Sequence, residues 1–188
     1  MHTVFAAGFG LFALISAYIS ARRHADALAG LESVFPGRTF LRWLVPTFQG
    51  SCDAFDFTVR LFGFGENGAP RLVVGMKSFA VMRLEVKGKS RGFSFGGLLG
   101  RSKEIKTGDD VFDGEFAVSA PDEGAAVRYL ASREKREIIR RVFSAGYRKL
   151  VLRNGEITIE KLRYADADIT PPALADVVRS LAVLAKEF

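Results

Sequence analysis

Four carboxylates stand close together in the middle of the chain, at Asp109, Asp110, Asp113 and Glu115. Carboxylates held near one another raise the pKa of one of the pair, which is how acid/base pairs arise, and their oxygens also bind divalent cations. The cluster therefore suggests a metal-dependent hydrolase or transferase that uses Asp109, Asp110 and Asp113. A turn leading into a strand is the favoured interpretation, because turns favour Asp and Gly and two glycines lie in this stretch. The membrane-bound enzyme is the alternative.

Histidine and cysteine, which most catalytic and metal sites need, are scarce. The only histidines are His2 and His24, and the only cysteine is Cys52. Zinc sites that depend on histidine, and Ser-His or Cys-His catalysis, are therefore excluded from everything after Ala25. A single cysteine also rules out a disulfide within the chain. We predict no cofactor, no metal ligand and no catalytic residue outside the acidic cluster.

Two short motifs match catalytic patterns in residue type and spacing, but the neighbouring segments or companion motifs that those patterns require are missing. Residues 63–68 read G-x-G-x-x-G, yet a strand-like segment follows where a dinucleotide site needs a helix, so a hairpin loop is favoured. Ser132 and Lys135 match the S-x-x-K of serine acyl-transfer enzymes, but the companion motifs are missing. Ser132 is better interpreted as a helix N-cap.

Basic residues suggest a contact surface. Segment 91–101 is glycine-rich and aromatic, and its proposed contact residues are Arg91, Phe93, Phe95 and Arg101. Farther along, one side of a predicted helix carries Arg133, Arg136, Arg140 and Arg141, with Glu137 able to neutralise one of them, Arg141. Such cations attract anionic lipid head groups at about 1 kcal/mol each. The alternatives are a β-connection whose Phe side chains fold back onto the core and, for the helix, a solvated face kept charged for solubility. Membrane lipid is the predicted partner, a homodimer or a membrane protein is possible, and nucleic acid is not favoured.

An uncharged apolar run opens the chain. Residues 3–20 form a segment that as a helix would be about 27 Å long, close to the thickness of a bilayer core. Arg22 and Arg23 follow it, and the positive-inside rule places that flank in the cytoplasm. We therefore predict a single-pass protein of the inner membrane with its N-terminus outside; a cleaved signal peptide and a buried helix are the alternatives.

The pattern of the sequence after this apolar run predicts an α+β domain of antiparallel strands with helices packed on one face. Residues 54–62 and 82–87 alternate between apolar and polar, which is typical of half-buried strands, and further strands are expected over 39–48, 71–76 and 115–119. Asn154-Gly155 predicts a two-residue hairpin turn. Helices are expected from Asp122 and Ser132, and a last one from Thr170.

These signals divide the chain into three parts. We predict a transmembrane anchor with its basic flank over 1–23, a connector over 24–36, and a cytoplasmic domain over 37–188. The formal charge of +6, from 27 Lys and Arg against 21 Asp and Glu, agrees with an anionic partner. The favoured function is a non-enzymatic binding or scaffold module at the cytoplasmic face of the membrane.

Segment 109–118, helices over 125–131 and 133–145 and the Asn154-Gly155 hairpin resemble a pattern found in uncharacterised bacterial membrane-anchored proteins. Those proteins are similar in having an apolar N-terminal anchor and a cytoplasmic α+β body that ends in a helix. The resemblance implies no catalytic role for any residue. Many of those proteins have two spans, whereas one is predicted here.

Overall fold

The computed structural model describes residues 2–63, 69–89 and 104–186, and for residues 2–14 it describes the helix without the side chains. The helices are α1 His2–Ala29, α2 Asp110–Glu115, α3 Glu123–Leu130, α4 Arg133–Ser144 and α5 Pro171–Ala185. The strands are β1 Gly37–Arg42, β2 Val45–Cys52, β3 Phe55–Phe62, β4 Arg71–Lys77, β5 Leu84–Gly88, β6 Phe116–Ser119, β7 Lys149–Arg153 and β8 Glu156–Leu162. Short 3₁₀ turns cover Gly30–Ser33 and Asp166–Ile169.

All eight strands form one antiparallel sheet in the order β1-β2-β3-β4-β8-β7-β5-β6. Strands β1 to β4 follow one another as neighbours, but the β7–β8 hairpin then lies between β4 and β5. The β7–β8 turn is the predicted one, with Asn154 and Gly155 at φ 54° and 69°. Strand β1 is an edge, and its Thr39 N–H donates to Glu32 Oε1 at 2.8 Å.

One hydrophobic core lies between the sheet and the helices. Alternate residues of β3, Phe57 and Val59, are fully buried together with Leu28 of α1, Ile139 of α4 and Leu181 of α5. Because helices from both ends of the chain share this cluster with the same side of the strands, the helices cover one face of the sheet. The other face, which we call the open face, carries the alternating polar residues.

The side chains that begin the helices support the local predictions. Asp122 Oδ1 accepts a hydrogen bond from Ala125 N–H at 2.9 Å, and Ser132 Oγ accepts one from Lys135 N–H at 3.4 Å. Thr170 precedes Pro171, the first residue of α5, as predicted, although its hydroxyl donates to Ala167 O. Side-chain caps therefore begin α3 and α4 as predicted, whereas α5 begins at Pro171 without a side-chain cap from Thr170.

The predicted membrane span is wrong. Within the part of the chain that the structure describes, no helix has both the length and the apolar character needed to cross a membrane. Helix α1 continues through Arg22 and Arg23 to Ala29, and it buries Ala21, Ala25 and Leu28 against the domain. This finding overturns the transmembrane helix, the single-pass topology and the inner-membrane location. An apolar run in a sequence predicts that a helix is shielded from water, but it does not distinguish shielding by protein from shielding by lipid.

A second prediction, one strand over 39–48, is also wrong. The chain reverses at Trp43 and Leu44, so two strands pair there, with Leu41 opposite Pro46. Both turn residues have positive φ angles, of 52° and 62°. Large side chains rarely adopt this conformation, so the sequence carries no turn signal at this point.

Candidate functional site

The acidic cluster does not form a site. Asp109 is the N-cap of α2, where Oδ1 accepts from Phe112 N–H at 2.9 Å, and its Oδ2 lies 3.0 Å from Arg136 Nε. Buried Asp113 accepts from Thr107 through both the backbone N–H, at 3.0 Å, and the hydroxyl, at 2.8 Å. These bonds hold α2 and the segment before it in place.

The other two acids of the cluster turn to different neighbours. Asp110 is exposed, and Glu115 Oε2 lies 2.8 Å from Arg140 Nε. Across residues 15–63, 69–89 and 104–186, no three His, Cys, Asp or Glu side chains are arranged to hold a metal ion. Asp109, Asp113 and Glu115 hold neighbouring segments together, Asp110 faces solvent, and the four carboxylates do not converge on one point.

We expect the stability of the protein to depend on pH through the ionisation of Asp109. The hydrogen bond from Phe112 N–H, together with the Arg136 and Arg140 guanidiniums, lowers the pKa of Asp109. A pKa that is lower in the folded state adds stability above the unfolded-state value, and that stability is lost as the pH falls through the folded-state value. The difference between the urea midpoints of the wild type and Asp109→Asn should therefore shrink below about pH 4.

The control for this measurement is Asp110→Asn, since Asp110 is exposed one residue away. Its midpoint should follow that of the wild type from about pH 7 to about pH 3. A constant difference between the wild type and Asp109→Asn over that range would contradict the assignment of Asp109 as a charged N-cap.

Two of the four helix arginines that the sequence singled out are used inside the fold. Arg136 pairs with Asp109 and also donates to Leu130 O, and Arg140 Nη1 lies 2.9 Å from Glu137 Oε1. Glu137 thus pairs with Arg140 and not with Arg141. The spacing of charges along one helix does not reveal partners from other segments.

The other predicted contact residues differ in what the structure shows of them. Arg133 and Arg141 are exposed, and neither has an ion pair among the described residues. Arg91, Phe93, Phe95 and Arg101 lie outside the described residues. The basic surface predicted from the sequence is therefore smaller on α4 than the count of its arginines implies.

Ser132 and Lys135 do not form a catalytic pair. Lys135 is buried; its Nζ lies 3.8 Å from the ring centroid of Tyr129 and donates to Lys186 O at 3.2 Å. Ser132 Oγ is occupied as the cap of α4. Lys135 therefore serves packing at the end of α5, and Ser132 begins a helix.

A groove of about 730 Å³ between α1 and the start of α5 contains residue types found in hydrolase triads, namely Ser20, His24 and Asp166. No hydrogen bond joins these three within the described parts of the chain. The His24 ring instead packs edge-on against buried Tyr164, whose pKa burial raises to about 12. The groove therefore lacks an assembled nucleophile and base.

The open face carries a set of cations that sequence reasoning missed. Cross-strand pairing and the strand alternation place Arg38 and Arg42 of β1, Arg60 of β3 and Arg71 of β4 on this face. We call these four residues the arginine face. They lie up to 33 positions apart in the sequence, so only the register of the sheet brings them together.

Few acids oppose the arginine face. Arg71 Nη1 lies 3.6 Å from Glu160 on β8, whereas Arg38, Arg42 and Arg60 have no ion pair in the described ranges. Two guanidiniums lie over aromatic rings of the same face. Arg38 Cζ is 5.7 Å from the Phe40 centroid, and Arg71 Cζ is 4.6 Å from the Phe62 centroid. Such stacking holds a guanidinium in place. Arg71 Nε is buried, whereas Arg38 is exposed and its N–H groups remain accessible.

The β1–β2 turn projects from the sheet beside Arg42. Trp43 is 92% exposed and Leu44 is 43% exposed, and their positive φ angles are unfavourable for large residues. Backbone strain of this kind costs on the order of 1–3 kcal/mol per residue and is concentrated at functional sites. We call Trp43 and Leu44 the hairpin tip. The arginine face and the hairpin tip together form the candidate binding surface.

Comparisons with known proteins bear on the fold alone. No protein-family model matches this sequence, and no curated protein matches it at a significant level. The structure is similar to the crystal structure of the mycobacterial trehalose monomycolate transport factor A, TtfA. The two share 10% sequence identity with a TM-score of 0.56, and the match covers 87% of this chain and 93% of that one. At this identity the likeness shows a shared arrangement of sheet and helices.

Proposed function

We propose that this protein is a non-enzymatic binding module that recognises an anionic partner through the arginine face. The observation that carries the proposal is the grouping of four arginines on the side of the sheet that no described helix covers, three of them without an ion pair among the described residues. Partly buried cations elsewhere in the domain, such as Arg136, have carboxylate or carbonyl partners. The arginine face differs because Arg38, Arg42 and Arg60 have no such carboxylate partner in the described ranges.

The chemistry of guanidinium defines the partner. Its planar fork donates parallel hydrogen bonds to two oxygens, which suits phosphate and carboxylate groups. The four arginines lie on β1, β3 and β4, so arginines of different strands are one to three strand spacings of about 4.8 Å apart and can reach anionic groups that repeat at such intervals. The partner therefore carries several anionic groups close together.

The test uses inorganic polyphosphate as the probe and measures its binding to the full chain. We expect Arg38→Gln with Arg42→Gln to weaken binding at least about tenfold, since each lost charge-assisted hydrogen bond contributes on the order of 1.5–3 kcal/mol. Binding by the variant should also depend less steeply on salt. Both side chains are exposed, so the fold should be retained.

The matched control is Arg133→Gln with Arg141→Gln, which removes the same charge from two exposed residues of α4. This variant should bind nearly as well as the wild type. Equal losses in the two variants would mean that binding follows net charge alone, and would contradict a specific role for the arginine face.

A further inference from the structure

We propose that the hairpin tip is an anchor that enters the interfacial layer of an anionic lipid surface. This inference rests on the proposed function, because the arginine face supplies the attraction for the anionic groups beside the tip. The contact is made by the surface of the folded domain. It involves no helix that crosses the bilayer.

The exposure and the backbone conformation of the hairpin tip indicate that Trp43 contacts another molecule. Trp43 has 92% of its surface exposed, although tryptophan side chains are highly buried on average. The turn holds Trp43 and Leu44 at φ 52° and 62°, where Asn and Gly occupy the equivalent places in the β7–β8 hairpin. If the β1–β2 turn served only to connect two strands, Asn and Gly at positions 43 and 44 would make it more stable.

The surrounding charges fit an anionic surface. Arg42 immediately precedes Trp43, and Arg71 begins its strand at the same end of the sheet. Exposed Arg163 follows β8 at that end, where its N–H donates to Pro70 O at 2.7 Å. An amphipathic ring beside such cations matches the preference of tryptophan for the boundary between head groups and acyl chains.

The aromatic rings of the open face argue against single-stranded nucleic acid as the partner. Bases bind such proteins by stacking on uncovered aromatic faces. Phe40 and Phe62 each have a guanidinium close to the ring, so these two rings do not offer free stacking platforms. Trp43 is therefore the one uncovered ring among the described residues of the candidate binding surface, and Leu44 beside it contributes apolar area but no ring. Successive bases would find a single stacking platform here. This combination favours a lipid interface.

The chain provides its own reporter, because Trp43 is its single tryptophan. The full chain is mixed with vesicles of phosphatidylcholine alone or of phosphatidylcholine with phosphatidylglycerol. With the anionic vesicles we expect the emission of Trp43 to move to shorter wavelength and its quenching by iodide to decrease. With the neutral vesicles both should stay unchanged.

Two variants that keep Trp43 test the role of the tip. Leu44→Gly should weaken binding to the anionic vesicles about tenfold, because it removes apolar area without changing charge. Val81→Ser removes an 85% exposed apolar side chain at the opposite end of the sheet and should bind like the wild type. Equal weakening by the two variants would overturn the inference.

Failure of this inference can be distinguished from failure of the proposed function. If anionic vesicles bind but the emission of Trp43 does not shift, the tip is no anchor, whereas the arginine face retains its role. If polyphosphate binds but vesicles do not, the tip is again no anchor and the arginine face again retains its role. A shift caused by a single-stranded oligonucleotide and not by vesicles overturns the lipid assignment, and loss of all anion binding removes the proposed function itself.

Discussion

Replacing Leu28 by alanine should lower the free energy of unfolding by about 2–5 kcal/mol, the usual loss when a fully buried leucine is truncated. Leu28 has no exposed surface and belongs to the same buried cluster as Phe48 and Phe57. Urea unfolding followed by circular dichroism measures the change. The prediction tests whether the second half of α1 is part of the core.

The control is Ile19→Ala on the same helix, where the side chain is 53% exposed. Its effect should stay within about 0.5 kcal/mol. Should Leu28→Ala prove no more harmful than Ile19→Ala, α1 would not be anchored to the sheet, and the assignment of its second half to the core would fail.

Giving the β1–β2 turn the residues of an ordinary tight hairpin should stabilise the protein. We expect Trp43→Asn with Leu44→Gly to raise the free energy of unfolding by about 1–3 kcal/mol, because Asn and Gly adopt positive φ angles with little strain. The same variant should lose binding to anionic vesicles. Circular dichroism is the appropriate measurement, since the variant has no tryptophan.

The β7–β8 hairpin gives the opposite change as a control. Gly155 has φ 69°, and a Cβ there would lie 3.3 Å from Ser78 O, so Gly155→Ala should destabilise the protein. If Trp43→Asn with Leu44→Gly left stability unchanged while Gly155→Ala lowered it, the β1–β2 turn would hold no strain. The case for a tip retained for binding would then lose its energetic basis.

Much of the sheet could be predicted because strand periodicity is a local property. The alternation from Phe55 to Phe62 corresponds to β3, with Phe57 and Val59 buried and Asp56 exposed. Turn chemistry was equally informative at Asn154-Gly155, where both residues have the expected positive φ. Neither signal depends on distant parts of the chain.

The errors arose where distant contacts decide the structure. The apolar run over residues 3–20 suggested a membrane span, but the buried positions of Ala25 and Leu28 depend on strands that come later in the chain. Arg136 looked free on its helix, yet its partner Asp109 lies 27 residues earlier. The arginine face follows from strand register, which no single segment encodes.

The insertion of the β7–β8 hairpin between β4 and β5 has a consequence for synthesis on the ribosome. Strands β1 to β4 form from local hairpins, but the free side of β4 has no partner until β8 is complete at Leu162, 85 residues after Lys77. At common translation rates of about 5–20 residues per second, that interval lasts about 4–17 s. During this time a nascent chain presents a newly made, unpaired strand. The centre of the finished sheet is therefore the part whose assembly is latest and most exposed to mispairing.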